Sequence, residues 1–260
     1  MSLVLKSGTS WAETYRRCMQ VAPEAFDPDR IRNLIGGEWV RAGVPGEHRN
    51  PVDGSEIEGP PRIDHAEAER AVDGAVKQHQ AWAGVGLEDR KARVARAVAA
   101  MREHRDLLAQ LLVWEIGKPW RLACADVDRC LDGVVWYVQE ADRQLAGRVP
   151  LAGPVSNIAS WNYPMSVQVH AELIQVLAGN AVVAKTPSQG NFWNRPSSTI
   201  TRPPPRPSSA GWKMKWTVPL KLLLSARYRA APSSIVVWPS WPQACILFLL
   251  IEACAKVLRS

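Results

Sequence analysis

Cysteine is scarce and unpaired in this chain: Cys18, Cys124, Cys130, Cys245 and Cys254 are odd in number and include no Cys-x-x-Cys pair. Neither a disulfide framework nor a zinc module is indicated, and a reducing, cytoplasmic compartment is expected. Long apolar runs are missing as well. The most apolar stretch, Ala244 to Ile251, is closed by Glu252 and falls far short of the roughly 20 residues a spanning helix needs, so no membrane crossing is expected. Around Glu13, Arg16 and Arg17 the amino terminus lacks the apolar run and small-residue cleavage site of a secretion leader.

Acid is nearly absent from one part of the chain only. Residues 191–260 hold 10 Lys and Arg against 1 acid, a charge of +9, whereas residues 1–190 hold 22 against 24, a charge of −2. The overall charge of +7 therefore belongs to the carboxyl-terminal segment. A near-neutral body with a basic appendage does not describe a DNA-reading domain, and no nucleic-acid partner is expected. The texture suggests a near-neutral body over residues 1–190 and a basic tail over 191–260.

What is present is a run of well-punctuated elements. Residues 31–40 set β-branched and aromatic residues around Gly36-Gly37, the pattern of a short β-hairpin. Asn50-Pro51-Val52-Asp53-Gly54 carries turn chemistry at both ends. Asp64 and Glu67 have capping-box spacing, followed by Ala68, Ala71, Val72, Ala75, Val76 and His79 at helical spacing. With no metal-type residue four positions away, His79 reads as a packed histidine and not as a ligand.

A second helix is predicted over Leu87 to Glu115, its Arg90, Lys91, Arg93, Arg96, Arg102 and Arg105 forming a solvated face opposite an apolar stripe. Gly117 and Pro119 stop it. A third helix is predicted over Arg121 to Ala146. Cys124 and Cys130 fall within it and read as small packed residues.

Residues 151–185 change character. An extended Val155 to Ser160, a Trp161-Asn162-Tyr163-Pro164 loop, a helix from Met165 to Ala178 and an apolar Ala181 to Ala184 form a β-α-β unit, which joins parallel strands. The loops after both strands then leave from one sheet edge, where open α/β folds bind ligands. Two polar residues stand there, Asn162 and Lys185.

The Asn162 amide can serve a developing oxyanion or simply cap the following helix. Lys185 can meet ribose or phosphate oxygens or stand as a solvated strand-end charge. The pattern of residues leaves both pairs of readings open.

Five motifs in register bear on the choice. Ile35-Gly-Gly-Glu-Trp, Asn50-Pro-Val-Asp-Gly, Glu115-Ile-Gly-Lys-Pro, Trp161-Asn-Tyr-Pro and Leu177-Ala-Gly-Asn-Ala-Val-Val-Ala-Lys-Thr-Pro-Ser resemble the amino-terminal part of the NAD(P)-dependent aldehyde dehydrogenase family. The resemblance covers about residues 30–190. It implies an α/β fold, here an incomplete Rossmann-like parallel sheet of a cofactor domain, and the oxidation of a small-molecule aldehyde to a carboxylic acid. It further implies that Asn162 stabilises the thiohemiacetal oxyanion, that Ser160 and Trp161 line the nicotinamide-ribose path, and that Lys185 binds the adenosine ribose.

Ser188 stands where many NAD-preferring members carry a glutamate. A hydroxyl can donate to a 2′-phosphate that a carboxylate would repel, so NADP is expected to serve at least as well as NAD. The family is homo-oligomeric, but its subunit-bridging strands are not identifiable in this sequence.

The resemblance stops near Gly190. No glycine-bearing turn for the pyrophosphate is recognisable, and Gln243-Ala244-Cys245 comes too soon after Asn162 to be the nucleophile motif. Residues 191–260 hold five of the twelve tryptophans and nine of the twenty prolines. A reading-frame change or truncation is one expectation for this texture; an accessory segment with a stiff Pro203 to Pro207 stretch is the other. An incomplete sheet would leave apolar surface bare, so marginal folding is expected. A non-catalytic scaffold stands as the alternative to an enzyme.

Overall fold

The computed structural model describes residues 9–185, apart from 29, 36, 37, 42 and 159, together with residues 236–238. Helix α1 (Trp11–Val21) is capped by Ser10, whose hydroxyl accepts from the Glu13 backbone. Three antiparallel pairs follow: β1 (Phe26–Asp27) with β2 (Arg30–Ile31), β3 (Asn33–Ile35) with β4 (Glu38–Val40), and β5 (Val44–Arg49) with β6 (Glu56–Arg62). The β3–β4 pair is the hairpin expected over residues 31–40; its Gly36-Gly37 connection lies outside the described residues. Between β5 and β6 the Asn50 side chain accepts from the Val52 and Asp53 amides, and Gly54 takes a φ of +76°.

Helix α2 (His65–Ala83) opens on the expected capping box: Asp64 accepts from the Glu67 amide and Glu67 from the Asp64 amide. Replacing Asp64 by Ala removes a partner from an otherwise orphaned amide, and about 1 kcal/mol of stability should go with it, read as a lower denaturant midpoint at unchanged m-value. His79 is buried. Its Nδ1 accepts from the Ala181 amide, so Nε2 carries the proton and donates to the Leu151 carbonyl. The packed reading of this residue holds.

The single helix expected over 87–115 is two, α3 (Leu87–Glu103) and α4 (Arg105–Ile116), separated at His104, whose φ of −104° and ψ of 19° leave the helical region. The break has a packing reason. Helix α3 is amphipathic, whereas every residue from Leu107 to Glu115 is buried; a helix apolar all round must turn into the core.

The basic face is also not simply solvated. Lys91 binds Glu88 and Asp142, Arg102 binds Asp132, and Arg105 forms a two-pronged pair with Asp128, so cations of α3 and α4 tie both to α5 (Trp120–Leu145). Arg90 is buried against Gly179 and Pro150 instead.

Strand β7 (Val155–Ile158), a π-helical turn (Pro164–Val169), α6 (His170–Leu177) and β8 (Val182–Lys185) form the β-α-β unit, with β7 and β8 parallel as expected. A third parallel strand, β9 (Val236–Trp238), pairs with β8, giving the order β7-β8-β9. Three residues of the basic tail thus add a strand to the sheet. Alternation along β8 sends Val182 and Ala184 into the main core with Leu173, Val176 and Leu177, while Val183 packs with Ala71 and Ala75 of α2. At β8 both sheet faces carry a helix, as a parallel sheet requires. At β7 the outer face is barer, with Ile158 59% exposed. The described part is a partial α/β domain.

Candidate functional site

Parallel pairing decides where the site lies. Ile158, the last residue of β7, is level with Lys185, the last of β8, and Lys185 is level with Trp238 of β9. All three strands therefore end on one edge. From that edge the chain turns through Ser160, Trp161 and Asn162, all exposed, into Tyr163 and the π-helical turn. Loop and strand end share an edge, as the β-α-β reading predicts. The Lys185 side chain and all of Ser188 lie outside the described residues.

Asn162 does not cap the following helix. The cap position is Tyr163, which makes no side-chain capping bond. Its work is done from a distance: Asp126 of α5 accepts from the Ser166 amide at 3.1 Å and from the Ser166 hydroxyl at 2.5 Å. The Asn162 side chain is left exposed at the strand edge, and its amide makes no hydrogen bond among the described residues. Of the two readings left open for it, the helix cap is thus corrected; the amide is presented outward.

Lys118 completes the arrangement. Its ammonium donates to Asp126 Oδ2 at 2.9 Å and to the Asn162 carbonyl at 2.8 Å, and stands 4.0 Å from the Tyr163 ring centroid. The position follows from local chemistry. Gly117 ends α4 with a φ of +67°, and Pro119 then starts α5, so Lys118 is caught between two helices and aimed back at the loop. A Cβ on Gly117 would approach Pro51 Cγ to 3.0 Å, so the Asn50-Pro51 and Glu115-to-Pro119 motifs pack on each other. Lys118 and Asp126 were missed as site residues; a lysine held between Gly and Pro was the one local signal, and Asp126 offered none.

Behind the loop, on the face of β7 that meets α6, lies a second polar group. Asn157 donates to the Gln168 carbonyl, and Glu172 is buried, with one carboxyl oxygen lacking a hydrogen-bond partner. Burial pushes its carboxyl up to about 8, only partly opposed by the nearby amides of Gln168 and Asn157. The thiols are elsewhere and not activated: burial and the charge of Glu115 push Cys18 up, and burial pushes Cys124 up against the pull of Arg105. Cys130 is buried in α5, as the packed reading of the helix cysteines expects.

Residues 39–193, more than half the chain, match the model of the family described as the aldehyde dehydrogenase family. The chain belongs to the aldehyde dehydrogenase family. The match ends where the texture of the sequence changes. Glutarate-semialdehyde dehydrogenase of Pseudomonas putida is 29% identical over 175 residues, 62% of this chain and 36% of that protein. Succinate-semialdehyde dehydrogenase (NADP(+)) of Escherichia coli is 26% identical over 178 residues, 63% of this chain and 37% of that protein.

Among solved structures, 1-pyrroline-5-carboxylate dehydrogenase from Thermus with bound NAD superposes with a TM-score of 0.56 at 29% identity, covering 70% of this chain and 38% of that one. The chain spans little more than a third of the length of these aldehyde dehydrogenases. Among its described residues no helix is long and apolar enough to cross a membrane.

Proposed function

We propose that this chain carries the amino-terminal share of an NAD(P)-dependent aldehyde-oxidising site, with Asn162 donating to the oxyanion of the reacting aldehyde. Lys185 binds the adenosine ribose, and Ser160 and Trp161 line the path of the nicotinamide ribose. Ser188 admits a 2′-phosphate, so NADP serves at least as well as NAD. The nicotinamide, when bound, accepts the hydride. The observation that carries the reading is the pairing of Ile158 with Lys185, which puts the Asn162 loop and the end of β8 on one sheet edge. That edge suits a nucleotide: an exposed amide, an exposed indole and a strand-end lysine border it.

Among the three described cysteines, burial pushes the thiols of Cys18 and Cys124 up and Cys130 is itself buried, so none has the character of an activated nucleophile. The same observation favours a second reading, a scaffold that binds nucleotide without turning it over. Equilibrium titration with NAD and NADP and an aldehyde-dependent assay at the reduced-nicotinamide band separate the two. Lys185→Ala should weaken nucleotide binding by about tenfold or more. Asn162→Ala should leave binding intact and cut any turnover about a hundredfold or more. A folded chain that binds neither nucleotide would end both readings, and a strong preference for NAD would end the role given to Ser188.

A further inference from the structure

We propose that Lys118 and Asp126 act together as positioning residues for Asn162, fixing from α5 and the α4–α5 turn the loop that presents its amide. The proposal rests on the oxyanion role proposed above. It is carried by the contacts of one buried ion pair. The Lys118 and Asp126 side chains are 8% and 0% exposed, and beyond their mutual pair each makes its described hydrogen bonds to the segment 162–166.

Neither contact is what simple stability asks for. A buried lysine paired with one carboxylate could be satisfied by any nearby carbonyl; this one takes the carbonyl of Asn162, which fixes the peptide plane joining Asn162 to Tyr163. A helix start with Tyr163 at its cap needs an acceptor for its first amides. Asp126 provides it from 40 residues upstream in the chain, so Asn162 is relieved of capping and its amide stays open. The Tyr163 ring closes the arrangement between Lys118 and Arg129, 4.0 and 5.7 Å from its centroid. A π-helical turn directly after the loop is the form of helix that recurs at functional sites.

The test uses the full chain, isotope-labelled, with the Asn162 side-chain amide signals assigned by their loss in Asn162→Asp. The unsubstituted chain should give one sharp amide pair, and Lys118→Met should shift and broaden it while hydrogen exchange at the Ser166 amide speeds up by about tenfold or more. Lys118→Arg, which keeps the cation, should restore the sharp pair; a purely packing role would not follow charge in this way.

Should Lys118→Met fail to fold, Ser166→Ala removes one bond to Asp126 at little packing cost and should broaden the same signals. Unchanged Asn162 signals in these variants, with only a lower melting temperature, would overturn the proposal. The reading beneath it fails separately: if the signals respond as described but added NADP leaves them unmoved and Asn162→Ala changes no turnover, the loop is held by the pair and the oxyanion role is wrong.

Discussion

Glu172→Gln should stabilise this protein at neutral pH and remove most of the pH dependence of its stability between pH 4.5 and 8. The residue is buried in α6 against the core side of β7, with the Gln168 and Asn157 side chains nearby and one carboxyl oxygen left without a partner. An ordinary glutamate titrates near 4.5, whereas burial holds this one up to about 8. Below pH 4.5 the carboxyl is protonated in both the folded and the unfolded chain, and its contribution is fully present. As the pH rises, the unfolded chain releases the proton first, and stability falls by about 1.4 kcal/mol per pH unit until the folded carboxyl ionises as well.

Over the whole window the loss approaches about 5 kcal/mol, comparable with the total stability of many domains. The amide of a glutamine fills the same space and does not ionise. At pH 7.5 the variant should melt about 10 °C above the unsubstituted chain, and at pH 4.5 the two should coincide.

Other groups act in the same range or just below it, so the difference between the two proteins is the quantity to read. Burial holds His170 below its usual value, so its contribution is lost as the pH falls below the usual histidine range, the opposite sense to Glu172. Asp27, lowered to about 2 chiefly by its hydrogen bond from Arg32, contributes stability that disappears only in stronger acid. Neither changes in the variant. Equal slopes of melting temperature against pH for the two proteins would show that Glu172 is ionised and solvated in the fold.

The pH-sensitive centre was invisible in the sequence, and the reason is physical. Helical periodicity assigns faces, and a glutamate among the apolar residues of a short helix such as α6 gives no sign of whether it turns outward or is covered by Gln168 and Asn157. Arg90 illustrates the same limit: it shared a basic face with five other cations, yet it alone packs under the turn between α6 and β8.

Local signals fared better. The capping box at Asp64 and the hairpin over residues 31–40 depend on neighbours within a few residues, and the β-α-β unit on one crossover within about 30 residues, and the structure contains all three. From the last of these it followed without any resemblance that the loop after β7 and the end of β8 share one edge. The contacts of the loop did not, because Lys118 reaches the Asn162 carbonyl across 44 positions and Asp126 reaches Ser166 across 40, and only packing of α5 on the π-helical turn brings them there. Resemblance supplied roles for residues on the edge, and geometry supplied the reason the amide is free to play one.

Gly179 is where a single added methyl group should do the most damage. It ends α6 with a φ of +91°, a conformation that costs an L-residue about 1–2 kcal/mol. The space is closed as well. A Cβ there would meet the Arg90 guanidinium and would approach Pro150 Cγ to 2.7 Å. Arg90 cannot swing aside freely, being 8% exposed.

Displacing it would also disturb the next residue. Asn180 donates to Gln175 Oε1 and accepts from the Leu151 amide, while the adjacent Ala181 amide is held by His79. The turn therefore sets the entry of β8, and with it the register that brings Lys185 level with Ile158. Gly179→Ala should lower stability by about 3 kcal/mol or more, adding overpacking to backbone strain, and should weaken NADP binding in whatever fraction remains folded. Asn at this position tolerates positive φ but brings a larger side chain against Arg90; Gly179→Asn should be no better than Gly179→Ala, whereas Gly179→Ala combined with Arg90→Ala should recover part of the loss. Denaturant titration of the three variants checks the ordering, and a Gly179→Ala protein as stable as the unsubstituted chain would mean that the turn is open and the strand entry is fixed by something else.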